Sequence, residues 1–193
     1  MVSDDREGGY IAAKHLIELG HEKIVHLAGP EGDSSAEERT AGYKDALAES
    51  GIKLKAEFLR YTNWHFEEGY YETKKFFMNT GGKATAAFAC NDEVGAGAYR
   101  ALVELSMNVP GDVALVGYGN LACGKFLDVP LTTVDQSSHS IGQTAGKLLI
   151  QKIESARRLA DYRTVKIPTK LIIRDSCGIK GSRINNTKKE ETA

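Results

Sequence analysis

Short apolar runs and helical patterns alternate along almost the whole chain, and this alternation limits the fold more than any other feature. Apolar runs at 23–28, 58–62, 84–90 and 131–134 are each followed by a stretch with apolar residues at helical spacing, and a further run at 113–118 by a longer loop. The helical stretches are 35–50, 66–79, 92–106 and 137–154, with a further one at 7–19 ahead of the first run. Strands that are apolar throughout, set between helices, imply a parallel sheet covered on both faces. The expected fold is therefore α/β, an open and mostly parallel sheet with helices on either side. Punctuation agrees with the pattern. Asp4 or Asp5 can cap the first helix and Gly20 can close it. Ser35-Ala36-Glu37-Glu38 matches a capping box, and Asp92 is placed to cap the helix after Asn91. Segments 165–167 and 171–173 read as closing strands, and the polar residues 178–193 as a disordered tail.

The helix at 7–19 has no strand before it, and it and the helix at 137–154 both need a sheet to cover. Either both pack on the single sheet, or the chain begins partway through a larger domain.

Composition excludes several classes. At 193 residues, 41% hydrophobic and 26% charged, the chain can build a core. A net charge of −1 gives no basic excess for nucleic acid. Three dispersed cysteines (Cys90, Cys123, Cys177) fit neither a disulfide framework nor a zinc knuckle, and suit a reducing compartment. No apolar run has membrane-spanning length and the first residues lack the apolar core of a secretion signal, so a cytoplasmic location is expected. The five histidines lack metal-site spacing, and neither a Gly-x-Ser-x-Gly elbow nor a phosphate-binding frame is present. No enzyme, metal or cofactor is expected.

Candidate binding residues lie just past the apolar runs, where open α/β sheets bind ligands. Arg39 offers a forked donor to hydroxyls or a carboxylate; the plainer alternative is a surface ion pair with Asp45 or a nearby glutamate. Trp64, the only tryptophan, can stack on a sugar or base, or can simply pack. Asn91 offers a donor and an acceptor at a strand end. Asn120 and Gln136 follow later runs and can line the same crevice.

Dispersed motifs add a further expectation. They include Asp4-Asp5-x-x-Gly8-Gly9, His15-Leu16-Ile17-x-x-Gly20-His21-x-x-Ile24, Ala28-Gly29-Pro30 and Arg39-x-x-Gly42-Tyr43-x-x-Ala46-Leu47. Later come Asn91-Asp92, Val109-Pro110-x-Asp112-Val113-x-Leu115-Val116-Gly117-Tyr118, Pro130-Leu131-Thr132-Thr133-Val134-x-Gln136 and Leu171-Ile172-x-Arg174-x-Ser176. In order and spacing they resemble the effector-binding region of the lactose/galactose repressor (LacI/GalR) family, whose fold is periplasmic-binding-protein-like. The resemblance implies a sensor of a sugar or sugar derivative, with Arg39, Trp64, Asn91, Asn120 and Gln136 on the effector. It implies a homodimer through Ala96, Tyr99 and Leu127, and operator contact only through an N-terminal helix-turn-helix not found in this sequence. It also implies one complete lobe and pieces of a second. Residues 1–20 and 135–168 would belong to an N-terminal lobe, 21–134 to the C-terminal lobe, 169–177 to that lobe's closing strand, and 178–193 to the tail. One departure stands out: Gly119 replaces the family's usual carboxylate, which leaves Arg39 without an evident acidic partner and suggests an anionic effector. A transport receptor and a plain dimerisation module are the alternative readings.

Overall fold

Parallel strands buried on both sides organise the molecule. The computed structural model describes residues 2–81, 83–154 and 164–178. Its strands are β1 (Val2–Ser3), β2 (Ile24–Ala28), β3 (Leu59–Tyr61), β4 (Ala86–Ala89), β5 (Ala114–Tyr118), β6 (Thr132–Asp135), β7 (Lys166–Ile167) and β8 (Lys170–Ile172). Its helices are α1 (Asp5–Glu18), α2 (Ser34–Glu49), α3 (Phe66–Thr80), α4 (Asp92–Glu104), the short α5 (Ala122–Lys125) and α6 (Ser138–Glu154). The main sheet runs β3-β2-β4-β5-β6-β8, parallel except for β8, which pairs antiparallel with β6. Every residue of β2, β4 and β5 is buried, which explains their unbroken apolar runs.

The two faces carry separate cores. Val25, Leu27, Ala87, Ala89 and Leu115 meet Phe76, Phe77, Val94 and Leu102 of α3 and α4. On the other face Ile24, Phe88, Val116 and Tyr118 meet Ala12, Ala13, Leu16, Tyr43 and Leu47 of α1 and α2. Each helix pair is drawn together by glycine. A Cβ on Gly9 would collide with the Arg39 carbonyl, and one on Gly42 with the Arg6 carbonyl. Gly69 and Gly97 play the same part between α3 and α4, against the carbonyls of Val94 and Phe66.

Of the residues 1–20 expected to belong to a separate lobe, Val2–Ser3 pair with β7 apart from the main sheet, while α1 packs on it. Ala12, Ala13 and Leu16 have no exposed surface, so α1 belongs to the main body. The helix finds its cover on the existing sheet, between α2 and β5. In contrast α6 leaves the sheet. Leu149, Ile150 and Ile153 are exposed on it, and its described neighbours include β1, which pairs in parallel with β7 as a separate two-stranded sheet.

Local corrections follow from cap geometry. Asp33, not Ser35, caps α2 by accepting from the Ser35 and Ala36 amides. Asn91, not Asp92, caps α4. Neither Asp4 nor Asp5 caps α1 through its side chain; Asp4 holds the N-cap position without such a bond. A short 3-10 turn at Ala56–Phe58 takes the start of the strand expected at 58–62. The expected disordered tail lies outside the described residues beyond Gly178.

Candidate effector-binding site

The strand order reverses between β2 and β4, because β3 lies on the far side of β2. A reversal of this kind opens a crevice at the carboxyl ends of the strands. Here it is a cavity of about 280 Å³ lined by Asp33, Ser35, Arg39, Trp64, Asn91, Tyr118, Gly119, Leu121 and Gln136. These residues come from five successive strand-to-helix junctions, those after β2, β3, β4, β5 and β6. A hollow of about 300 Å³ at the opposite end of the sheet, between Tyr43, Leu47, Ile52 and Phe58, has mostly apolar walls and a rim of lysines with Glu22 and Glu57.

Arg39 is buried and already partnered. Its Nε donates to Asp5 Oδ1 at 2.8 Å and its Nη1 to the Cys90 carbonyl at 2.7 Å. The guanidinium carbon lies 3.7 Å from the centroid of the Tyr118 ring and 5.3 Å from that of Trp64. The Tyr118 hydroxyl donates to the same Asp5 oxygen at 3.0 Å. Burial raises the Tyr118 pKa, so the ring stays neutral. Asp5 thus supplies the counter-charge that Gly119 does not. This corrects the expectation of an unpaired arginine and removes the argument for an anionic effector. The alternative surface pair with Asp45 is also not formed, since Asp45 pairs with Arg6 at 2.7 Å. Among the described residues Nη2 of Arg39 has no hydrogen-bond partner. The guanidinium therefore keeps one free nitrogen while it lies against the Tyr118 ring, with the Trp64 ring farther off.

Trp64 takes a backbone conformation that side chains rarely adopt, with φ of 74°. Asn91 secures it. The Asn91 Nδ2 donates to the Trp64 carbonyl at 2.8 Å while its Oδ1 accepts from the Val94 amide at 2.7 Å. One N–H and one lone pair of that amide are used in this way, and Asn91 holds Trp64 in position. Room for the indole comes from Gly29, where a Cβ would lie 2.8 Å from the Trp64 ring and from Ala36.

Asn120 does not line the cavity. Its φ of 54° turns the side chain to Arg174, whose Nη2 donates to Asn120 Oδ1. Beneath it Asp92 is fully buried and accepts from Thr133 Oγ1 and the Leu121 amide, both at 2.6 Å. Burial raises the Asp92 pKa; these bonds oppose that shift and tie α4, β6 and the loop after β5 together.

The expected dimer residues lie on another side. Ala96 is buried on α4, while Tyr99 and Leu127 are half-buried against the α3–α4 core. Phe126 beside them is 85% exposed, a larger apolar surface than any of the three. Sequence reasoning passed over Phe126, over Asp33 and Tyr118 in the cavity, and over Asp5 as the partner of Arg39. The Asp33-Ser34-Ser35 run before a helix could have indicated Asp33; Asp5 could be linked to Arg39 only in three dimensions.

Among the described residues no three His, Cys, Asp or Glu side chains cluster to hold a metal, and no helix is long and apolar enough to cross a membrane.

A family model described as a periplasmic binding protein-like domain matches residues 13–177. The chain belongs to that family. As a periplasmic-binding-protein-like chain it has regulators for relatives, in line with the motif resemblance. It is 36% identical over 170 residues to the transcriptional repressor PurR of Mannheimia succiniciproducens, a match covering 88% of this chain and 50% of that protein. The transcriptional regulator CelR in complex with cellobiose superposes with a TM-score of 0.84 at 29% identity, over 90% of this chain and 52% of that one. The lac repressor dimer bound to operator and an anti-inducer gives 0.81 at 30% identity, over 91% and 59%. The chain spans about half the length of the curated relatives it matches.

Proposed function

We propose that this chain is the effector-sensing part of a LacI-type transcriptional regulator, and that its cavity takes a sugar or another polyhydroxylated small molecule. The carrying observation is convergence: Arg39, Trp64 and Gln136 reach one cavity from separate strand ends, with Asn91 holding Trp64 in place. The indole offers an apolar face to the C–H face of a sugar ring. The free Nη2 of Arg39 donates to a ring or hydroxyl oxygen, and Gln136 offers both donor and acceptor. Asp5 and Tyr118 hold the guanidinium before any ligand arrives, which reduces the ordering cost of binding.

The cavity lies beside the strand crossings that lead to α6, β1 and β7. In the intact regulator this would be the second wall, and effector would change the angle between the two walls and so alter affinity for operator DNA. Operator contact belongs to a helix-turn-helix that the resemblance places outside this sequence. Homodimerisation would use the side bearing Tyr99, Leu127 and the exposed Phe126. The relatives are regulators, which favours this reading over a transport receptor, and their role also favours a non-catalytic one.

Calorimetric titration with neutral mono- and disaccharides tests the assignment. Binding by the native chain should weaken at least about tenfold in Gln136→Ala and be lost in Trp64→Ala, a tenfold change being about 1.4 kcal/mol. Undiminished binding in Trp64→Ala would remove the cavity from consideration.

A further inference from the structure

The first turn of a helix is a ready seat for an anion, because its amides are unsatisfied and its dipole favours negative charge. Two such turns face this cavity, and both seats are filled. Asp33 Oδ1 accepts from the Ser35 and Ala36 amides at 2.9 and 3.0 Å. Asn91 Oδ1 accepts from the Val94 amide at the head of α4. The cation in the cavity is neutralised as well, since Arg39 and Asp5 form a pair at 2.8 Å with both side chains 9% exposed. Of the charged residues lining the cavity, only Asp33 is left without a counter-charge. Its Oδ2 has no partner among the described residues. The adjoining hollow does not reverse the sign, because Glu31 and Glu37 there face a single lysine, Lys44.

We infer that the cavity selects uncharged or cationic polyols, such as neutral sugars and amino sugars, and rejects phosphorylated or carboxylated ones, with Asp33 as the selecting residue. The inference rests on the effector reading and names the charge class of its ligand. Asp33 Oδ2 accepts hydrogen bonds from ligand hydroxyls or an ammonium group. An anion would meet a carboxylate in the place where a bare helix end would have welcomed it.

Trp64 supplies a probe that needs no ligand. It is the only tryptophan of the chain; it lines the cavity with Asp33, and its ring and Ala36, the residue whose amide Asp33 holds, both border the space over Gly29. Quenching of its emission by caesium and by iodide at fixed ionic strength reads the sign of the local potential. The caesium-to-iodide ratio, divided by that of free N-acetyltryptophanamide, is expected to be about threefold or more, as a potential of about half kT or more per unit charge requires. Asp33→Asn keeps a good cap and removes the charge, so the ratio should fall toward one while acrylamide quenching and Tm stay as they were. If that variant unfolds, Asp33→Ser makes the same comparison. A ratio at or below one in the native chain overturns the inference, as does a ratio unmoved in a folded variant. Binding of glucose 6-phosphate or gluconate at least as tight as that of glucose also overturns it, and leaves the effector reading standing. Native chain that binds no sugar defeats the effector reading, and the quenching ratio still decides the charge of the cavity.

Discussion

The helices α1 and α6 look alike in sequence and end in opposite situations. Both are amphipathic, both contain two glycines, and neither has an obvious strand to cover. In the fold α1 is sealed between α2 and the sheet, with Leu16 fully buried. On α6 Leu149 and Ile153 are 60% and 74% exposed. The glycines show the cause. Gly9 of α1 and Gly42 of α2 let two backbones touch, whereas a Cβ on Gly142 or Gly146 of α6 would meet nothing within 4 Å. An apolar stripe shows that a helix needs a partner; small residues on both partners show whether it has found one.

The largest expected effect is at those contacts. Gly42→Val should cost about 3 kcal/mol or more, because the added carbons have to push back a backbone carbonyl. Gly146→Val should shift stability by less than about 1 kcal/mol, as an open helix position allows. Urea midpoints measure both, and equal losses would end the distinction between the two helices. Leucine truncation sharpens it. Leu16→Ala should cost about 3 kcal/mol by emptying a sealed site, and Leu149→Ala about 0.5 kcal/mol or less.

Acid gives a further contrast. His26 on β2 lies under α2, stacked on Phe88 with ring centroids 4.6 Å apart. Its Nδ1 donates to the Phe88 carbonyl, and its Nε2 accepts from the Thr40 hydroxyl. Burial lowers its pKa to about 4, against 6.5 for a free imidazole. Between those values the unfolded chain takes up a proton that the native one refuses. Stability present above pH 6.5 is therefore lost as pH falls toward 4, by at most about 3 kcal/mol. Urea unfolding at pH 7 and pH 4.5 should show the loss, and His26→Gln should reduce it. An undiminished loss in that variant would assign the acid sensitivity to other groups.

Much of this was legible in the chain. Unbroken apolar runs separated by helical patterns gave the parallel sheet, because strands covered on both faces have no polar side to show. Arg39, Trp64, Asn91 and Gln136 could be placed near one another because each follows a strand end, and the fold brings such ends together. What stayed hidden was pairing across distance. Asp5 and Arg39 are 34 residues apart and meet only once α1 closes on α2. Local pattern also misjudged the caps. Asp33 and Ser35 are both good cap residues, and the turn after Pro30 decides between them. Asn120 follows a strand as Asn91 does, but Arg174 from the far end of the chain claims its side chain.

Hydrogen exchange tests most directly the claim that the chain has one closed side and one open side. Amides of α1 and α2 at 12–17 and 42–47 should exchange only through global unfolding. Amides of α6 at 142–152 should exchange through local opening at a small fraction of that free energy. Equal protection of α1 and α6 in the free chain would contradict the account, since α6 would then have a cover that the described residues do not give it.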